Sequence, residues 1–337
     1  MGDVFSELRD VLSSGHEAVL TERLTGEGIE RTLTPGPFSP DSDFSRLGAP
    51  ELSPKGTGLE LRERYVPMPR LIVFGGGHVS LALAQMATMI DFRLIIYDDR
   101  PTFSSPARFP MAERTILDSF ENIARNLTFG DRDYAVILTR GHRHDEDCLK
   151  AVLAGPDPFY LGMIGSKRRV AIVKKRLIDE GADPERLKRL RSPCGLDIGA
   201  ITPAEIGLSI LAEIIQERRQ GEKNQGRDRQ EVFCDMTLLS FLAGPRSEDL
   251  ALATVLSTKG STPRRAGAKM AVRFDGRTVG SIGGGCSEAE IITKARRLVG
   301  LKAGYELATV DMTDTAEEDG MVCGGIMEVL IESLPAN

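Results

Sequence analysis

Tryptophan is missing altogether from the 337 residues, histidine occurs four times and cysteine five times. The cysteines (Cys148, Cys194, Cys234, Cys286 and Cys323) are odd in number and form no CxxC pair, which argues against a disulfide framework and for reduced thiols. The net charge of −6 is spread without any block of Lys and Arg, so there is no electrostatic reason to expect nucleic acid or an anionic membrane surface as partner. No apolar run reaches the roughly 18 residues of a membrane span. The opening MGDVFSELRDVLSS also lacks a basic stretch followed by an apolar one. A cytoplasmic location is the expectation.

What is present is the ordinary material of packed cores, with 41% hydrophobic and 27% charged residues. At roughly 100 to 200 residues per domain, the length predicts two or three domains. Thr34 to Gly58, dense in Pro, Gly and Ser, reads as loop or extended linker, and the polar GEKNQGRDRQ (221–230) as a second break. Between them the apolar runs RLIVFG (70–75), RLIIYD (93–98), YAVILT (134–139) and FYLGMIG (159–165) alternate with helix-length amphipathic segments. That alternation predicts a parallel sheet with crossover helices, closed by a helix from Pro203 to Gln220 that Thr202 caps. After residue 231 a helix-like stretch precedes LALATVL, KMAVRF, TVGSIG and IMEVLIESL, with DGRT (275–278) as a hairpin turn. The fold class predicted is therefore α/β: a Rossmann-type parallel-sheet domain over 67–222 and a smaller mixed α+β domain over 230–337.

Residues 3–28 line up with 231–260, each an acidic residue, Val and Phe, then an amphipathic helix and a strand, and LELRERYVP (59–67) lines up with MEVLIESLP (327–335). Residues 1–66 are accordingly read as a shortened copy of the C-terminal domain plus a linker.

The sharpest local signal is FGGGHVSLALA, in which Gly75, Gly76, Gly77 and His78 lie between a strand and a helix, with Ser80 at the last position of a GxGxxG-like pattern. Small residues there let a diphosphate approach the backbone at the positive end of a helix, and Asp98 and Asp99, about 20 residues on, stand where a ribose hydroxyl is recognised. A tight turn with no nucleotide is the alternative. TRGHRHD (139–145) follows another strand and offers Arg140 to an anion, with His142 and His144 as polar contacts; two histidines two residues apart are too few for a metal site. MIGSKRR (163–169) repeats the strand-to-helix geometry with Gly165 and Ser166 at the turn, and three cations in a first helical turn suit a bound anion, with a solvated basic face as the default. In the C-terminal domain GSTPRRAGAKM (260–270), GSIGGGCSEAEI (280–291) and GMVCGGIMEV (320–329) crowd glycine beside cysteine, which a ligand close to the backbone would explain. Cys286, at a glycine turn entering a helix, and Cys323 are the candidate reactive thiols; Arg264, Arg265, Gly284 and Gly285 are the candidate ligand contacts. Buried, inert thiols are the alternative, and the reading preferred for Cys148 and Cys234.

Taken together, FGGGHV, DDRP (98–101), TRGHRHD, GMIGSKRR, GLDIGA and TPAEIG, followed by GSTPRRAGAKM, GGGCSE and CGG, resemble the XdhC/CoxI family of accessory factors over roughly residues 60 to 335. The family commonly places the Cys-containing domain before the Rossmann domain, whereas here it follows. The resemblance implies binding of molybdenum cofactor (molybdopterin), support of its sulfuration, and insertion into a xanthine dehydrogenase-like apoenzyme, with a cysteine desulfurase as a further partner. A cofactor chaperone, more than a turnover enzyme, is implied, and a homodimer is expected. An NAD-dependent oxidoreductase using the Rossmann domain is the alternative reading.

Overall fold

The computed structural model describes residues 3–39, 42–224, 232–233, 235–302, 304–312 and 325–337. The chain forms two compact units. One joins Met1–Pro67 to Arg227–Asn337, and the other is Met68–Gly226.

In the first segment α1 (Val4–Ser13) is followed by β1 (Ala18–Thr25), β2 (Gly28–Pro35), the short α2 (Asp43–Arg46), β3 (Glu51–Lys55) and β4 (Gly58–Val66). Asp3 caps α1 by accepting the N–H of Phe5, and Phe5, Leu8 and Leu12, at helical spacing, are its buried stripe. The stretch read as a linker, Thr34 to Gly58, thus contains a strand. β3 lies antiparallel to β4, and Pro54 is tolerated there because β3 is an edge strand, where a missing N–H breaks no ladder.

The Met68–Gly226 unit comprises β5 (Arg70–Phe74), α3 (His78–Thr88), β6 (Arg93–Asp98), β7 (Arg114–Leu117), α4 (Ile123–Asn126), β8 (Asp133–Ile137), α5 (His142–Leu153), β9 (Tyr160–Met163), α6 (Lys167–Asp179), α7 (Pro184–Lys188) and α8 (Pro203–Asn224). All five strands are parallel in the order β7-β6-β5-β8-β9. The α/β reading holds, with a Rossmann sheet as its centre. Successive residues of β5 serve opposite faces: Leu71 and Val73 join Leu83, Ala87, Ile210 and Ile214 of α3 and α8, while Ile72 and Phe74 join Leu149, Val152 and Val173 of α5 and α6. Each such fully buried aliphatic side chain stabilises by about 1.5–3 kcal/mol relative to exposure. Cys148 and Cys194 belong to these cores, and burial pushes the Cys194 thiol up to about 12. Strand order reverses between β5 and β8, so the crevice beyond their carboxyl ends is where such sheets take ligands.

The last segment contributes β10 (Val232–Phe233), α9 (Met236–Leu242), β11 (Leu250–Gly260), β12 (Lys269–Arg273), β13 (Thr278–Gly280), α10 (Cys286–Leu298), β14 (Tyr305–Asp311) and β15 (Gly325–Leu334). The DGRT hairpin forms as expected, β12 pairing with β13 around Gly276, whose φ is +89°. Its sheet runs β13-β12-β11-β15-β14, and β10 crosses to pair with β4 of the first segment. One shared core holds α1 and α9 together, with Phe5, Leu8, Leu238, Leu239 and Leu242 in contact with Leu20, Leu252 and Leu334. Among the described residues no helix is long and apolar enough to cross a membrane.

Candidate functional site

The glycine turn of the Rossmann unit is built by its own neighbours. Gly75 has φ +102°, and a Cβ there would stand 2.4 Å from the carbonyl oxygen of Leu138, so the turns after β5 and β8 are packed against each other. At Gly76 a Cβ would fall 1.8 Å from the backbone oxygen of Phe103. The same residue donates its N–H to Asp98 Oδ2 at 2.7 Å, and its carbonyl accepts from Arg108 Nε at 2.9 Å. Asp98, fully buried, also accepts from the N–H of Arg100 at 3.0 Å and from Nε and Nη2 of the Arg100 guanidinium, each at 2.8 Å. Four donors fill the four lone-pair directions of one carboxylate. Ser80 turns back to donate to the Gly75 carbonyl at 2.5 Å, which is why a hydroxyl, with no ligand role, stands at the last pattern position.

Gly77 differs from its neighbours: nothing lies within 4 Å of where its Cβ would be, and it caps α3 without any side-chain hydrogen bond. Gly141 begins α5 in the same way. Both helices present an exposed histidine as their first residue, His78 and His142. The positive ends of two helices after adjacent strands are therefore not neutralised by any cap from their own sequence. His144 belongs elsewhere, its ring 5.0 Å from that of Phe120, so His142 and His144 diverge, as a two-residue step on a helix requires. Arg140 holds Asp99 through two bonds of 2.6 and 2.9 Å, and this pairing keeps the Asp99 carboxyl below its usual range despite some desolvation.

TRGHRHD and MIGSKRR are joined by Asp145. Buried, it accepts from Thr139 Oγ1 at 2.5 Å and from the guanidinium of Arg169, and burial raises its carboxyl above the usual range in spite of both. Arg169 is thus committed to the protein, while Arg168 stays exposed. Ser166 caps α6, its hydroxyl accepting the N–H of Arg169 at 3.3 Å, and Gly165 makes the turn before it.

In the other unit the glycine motifs meet in one loop cluster. A Cβ at Gly283 would stand 2.4 Å from the Pro263 ring, and one at Gly325 would stand 2.4 Å from the Ser261 oxygen. These glycines let GSTPRR, GSIGGG and the start of β15 pack on one another. Gly283, Gly284 and Gly285 all have positive φ, and no atom lies within 4 Å of where a Cβ on Gly284 or Gly285 would be. Cys286 is the first residue of α10, which Gly285 caps without a side-chain bond. Cys323 lies outside the described residues. Glu288 reaches back from α10 to the turn and accepts from Ser281 Oγ at 2.6 Å and from the N–H groups of Ile282 and Gly283 at 3.0 Å. Although desolvation pulls the other way, these bonds and one from the Gly284 backbone hold its carboxyl below the usual range. Arg264 and Arg265 are exposed beside the turn. Arg264 and Ser281 also line a cavity of about 90 Å³ with Lys269, Tyr65, Phe5 and Leu238.

Sequence reasoning thus found both glycine turns but not the groups that fill them. Arg100, Arg108 and Glu288 were missed. Glu288 carried a legible signal, since an acidic residue three positions after a helix cap bonds the free N–H groups there. Arg108 carried none, because its partner, the Gly76 carbonyl, is remote from it in sequence, whereas Arg100 bonds Asp98 only two residues before it.

Residues 71–214 match the model of the XdhC Rossmann domain, and residues 245–309 match that of the XdhC and CoxI family. A probable xanthine dehydrogenase subunit of Bacillus subtilis (strain 168) is 35% identical over 158 residues, which is 47% of this chain and 46% of that protein. The uncharacterized protein YqeB of Escherichia coli (strain K12) is 33% identical over 149 residues, 44% of this chain and 27% of that protein. The match thus spans less than half of either curated relative. The crystal structure of a xanthine dehydrogenase from Bacillus halodurans is similar at a TM-score of 0.51 and 24% identity, over 70% of this chain and 69% of that one, a likeness of fold alone. With a Rossmann unit of one family model followed by a glycine-rich domain of the other, the chain belongs to the XdhC/CoxI family.

Proposed function

We propose that this chain is an accessory protein that binds molybdenum cofactor as cargo, supports its sulfuration and delivers it to a xanthine dehydrogenase-like molybdenum hydroxylase. The observation that carries the reading is the contrast between Asp98 and Gly77. Every acceptor direction of Asp98 is used inside the protein, so the group that would grip the ribose of a dinucleotide is already engaged. The start of α3 at Gly77 and His78 is open and uncapped, which suits a phosphate-bearing ligand held by backbone N–H groups. Arg108 supports the fit, because its buried Nη2 beside Gly76 has no hydrogen-bond partner.

In this reading His78 and His142 bind the anionic end of the cargo, and Arg264 and Arg265, on the other unit, offer planar donors to a phosphate or a carboxylate. Cys286 and Cys323 supply thiolates that contact molybdenum or relay sulfur from a cysteine desulfurase. A homodimer brings a second set of these groups to one assembly.

Anaerobic titration of the full chain with molybdenum cofactor, read by fluorescence quenching with NAD as comparator, tests this. Tight binding weakened by Cys286→Ala or Cys323→Ala is the expected result. Saturable NAD binding with no affinity for the pterin would establish the oxidoreductase reading instead.

A further inference from the structure

Four strands in each of the two five-stranded sheets of the discontinuous unit repeat one plan. β2-β1-β4-β3 has the same order and antiparallel sense as β12-β11-β15-β14. Ladder positions correspond one to one. Leu20 faces Glu63 as Leu252 faces Glu332, and Glu22 faces Arg31 as Thr254 faces Lys269. Asp3 caps α1 as Asp235 caps α9, and the two helices pack together. Among the described residues the first segment has only α2 in the link where the second carries β13, α10 and the glycine-cysteine loop.

The contacts between the halves are reciprocal. Arg31 bonds its own cross-strand neighbour Glu22 at 2.6 Å and reaches Glu332 of the other half at 2.7 Å. Lys269, its counterpart, bonds its own neighbour Thr254 at 2.7 Å and reaches Glu63, the counterpart of Glu332, at 2.8 Å. Residue i meets j while the equivalent of j meets the equivalent of i, which is the signature of a two-fold interface between copies. All six side chains are buried or nearly so. Each half therefore carries a self-complementary set, a cation on its second strand and a carboxylate on its last long strand.

We propose that the α9-β12-β15 face of the C-terminal half is a dimerisation face for a second copy of itself, and that residues 1–66 are a built-in partner occupying it. The unit is an internal pseudo-dimer. It carries one glycine-cysteine loop where a true dimer would carry two. A homodimer of the whole chain would then have to form through another surface.

At pH 9, where Glu332 is ionised, the full chain with Arg31→Glu and Glu63→Lys places like charges against Glu332 and Lys269, while leaving the C-terminal face complementary to its own copy. Light scattering is expected to give a particle of twice the mass of the unaltered chain, and the added pair Lys269→Glu and Glu332→Arg is expected to return it to the parental mass. Parental mass in the two-site variant overturns the proposal. If that variant yields no folded protein, Arg31→Met with Glu63→Met is read the same way: a doubled mass supports the built-in partner and an unchanged mass overturns it.

Discussion

The carboxylate of Asp98 accepts the N–H of Gly76 at 2.7 Å, so the acidic residue after the second Rossmann strand fastens the glycine turn after the first. Removing it strands a buried N–H and the guanidinium of Arg100 together. Asp98→Ala should destabilise the Rossmann unit by about 2–3 kcal/mol, seen as an earlier melting transition. It should not change any affinity for NAD. A ribose contact would show the opposite pattern.

Gly76 and Gly77 separate the demands of fold from those of ligand. Gly76→Ala drives a methyl into the Phe103 carbonyl and should cost about 3 kcal/mol or more. Gly77 has φ −66°, which alanine adopts, and open space ahead of it, so Gly77→Ala should leave stability within about 0.5 kcal/mol. If the turn cradles a phosphate, that same methyl weakens cofactor binding, and equal affinity in Gly77→Ala would place the phosphate elsewhere.

Glu332 gives the discontinuous unit a pH slope. Burial pushes its carboxyl from the ordinary 4.5 up to about 8, opposed by Arg31. The folded state then holds a proton that the unfolded state releases, so the stabilisation is complete below about pH 4.5 and is lost as pH rises toward 8. Stability of the full chain by urea unfolding should fall by more than about 1 kcal/mol between these limits. Glu332→Gln should flatten that slope; an unchanged slope would assign it to another group.

Glu288 fills the turn before Cys286 with a carboxylate of the protein's own. Glu288→Ala frees the N–H groups of Ile282 and Gly283 and should cost about 1–2 kcal/mol. Phosphate should then raise the melting temperature of the variant more than that of the parent chain, because an anion can take the vacated place. Equal shifts would show that the turn collapses on itself.

How far the sequence could be read followed the range of the interactions. β5, β6, β8 and β9 were legible because strands buried on both faces are continuous apolar runs, and α8 because Thr202 precedes Pro203. β3 was hidden: its proline and serine spell a loop, and only an edge position makes them a strand. The glycine turns were visible, but their glycines answer mainly to Leu138, Phe103, Pro263 and Ser261, contacts that no local pattern encodes. The sequence alignment of the two halves set Asp3 against Glu231, whereas the helix caps set Asp3 against Asp235, a shift that periodicity alone does not detect.

Because the Rossmann unit is inserted between two segments that need each other, synthesis imposes an order on folding. Arg31 emerges early and meets Glu332 only after 301 further residues have been made. Until then the strands β1 to β4 carry an uncovered apolar face and a buried-type cation with half its partners, a state prone to association. The inserted unit, whose strands pair with near neighbours, can be finished first. β15, which follows the other strands of its sheet in chain order, completes both the sheet and the Arg31–Glu332 ion pair, so a truncation before it should release the first sixty residues as well.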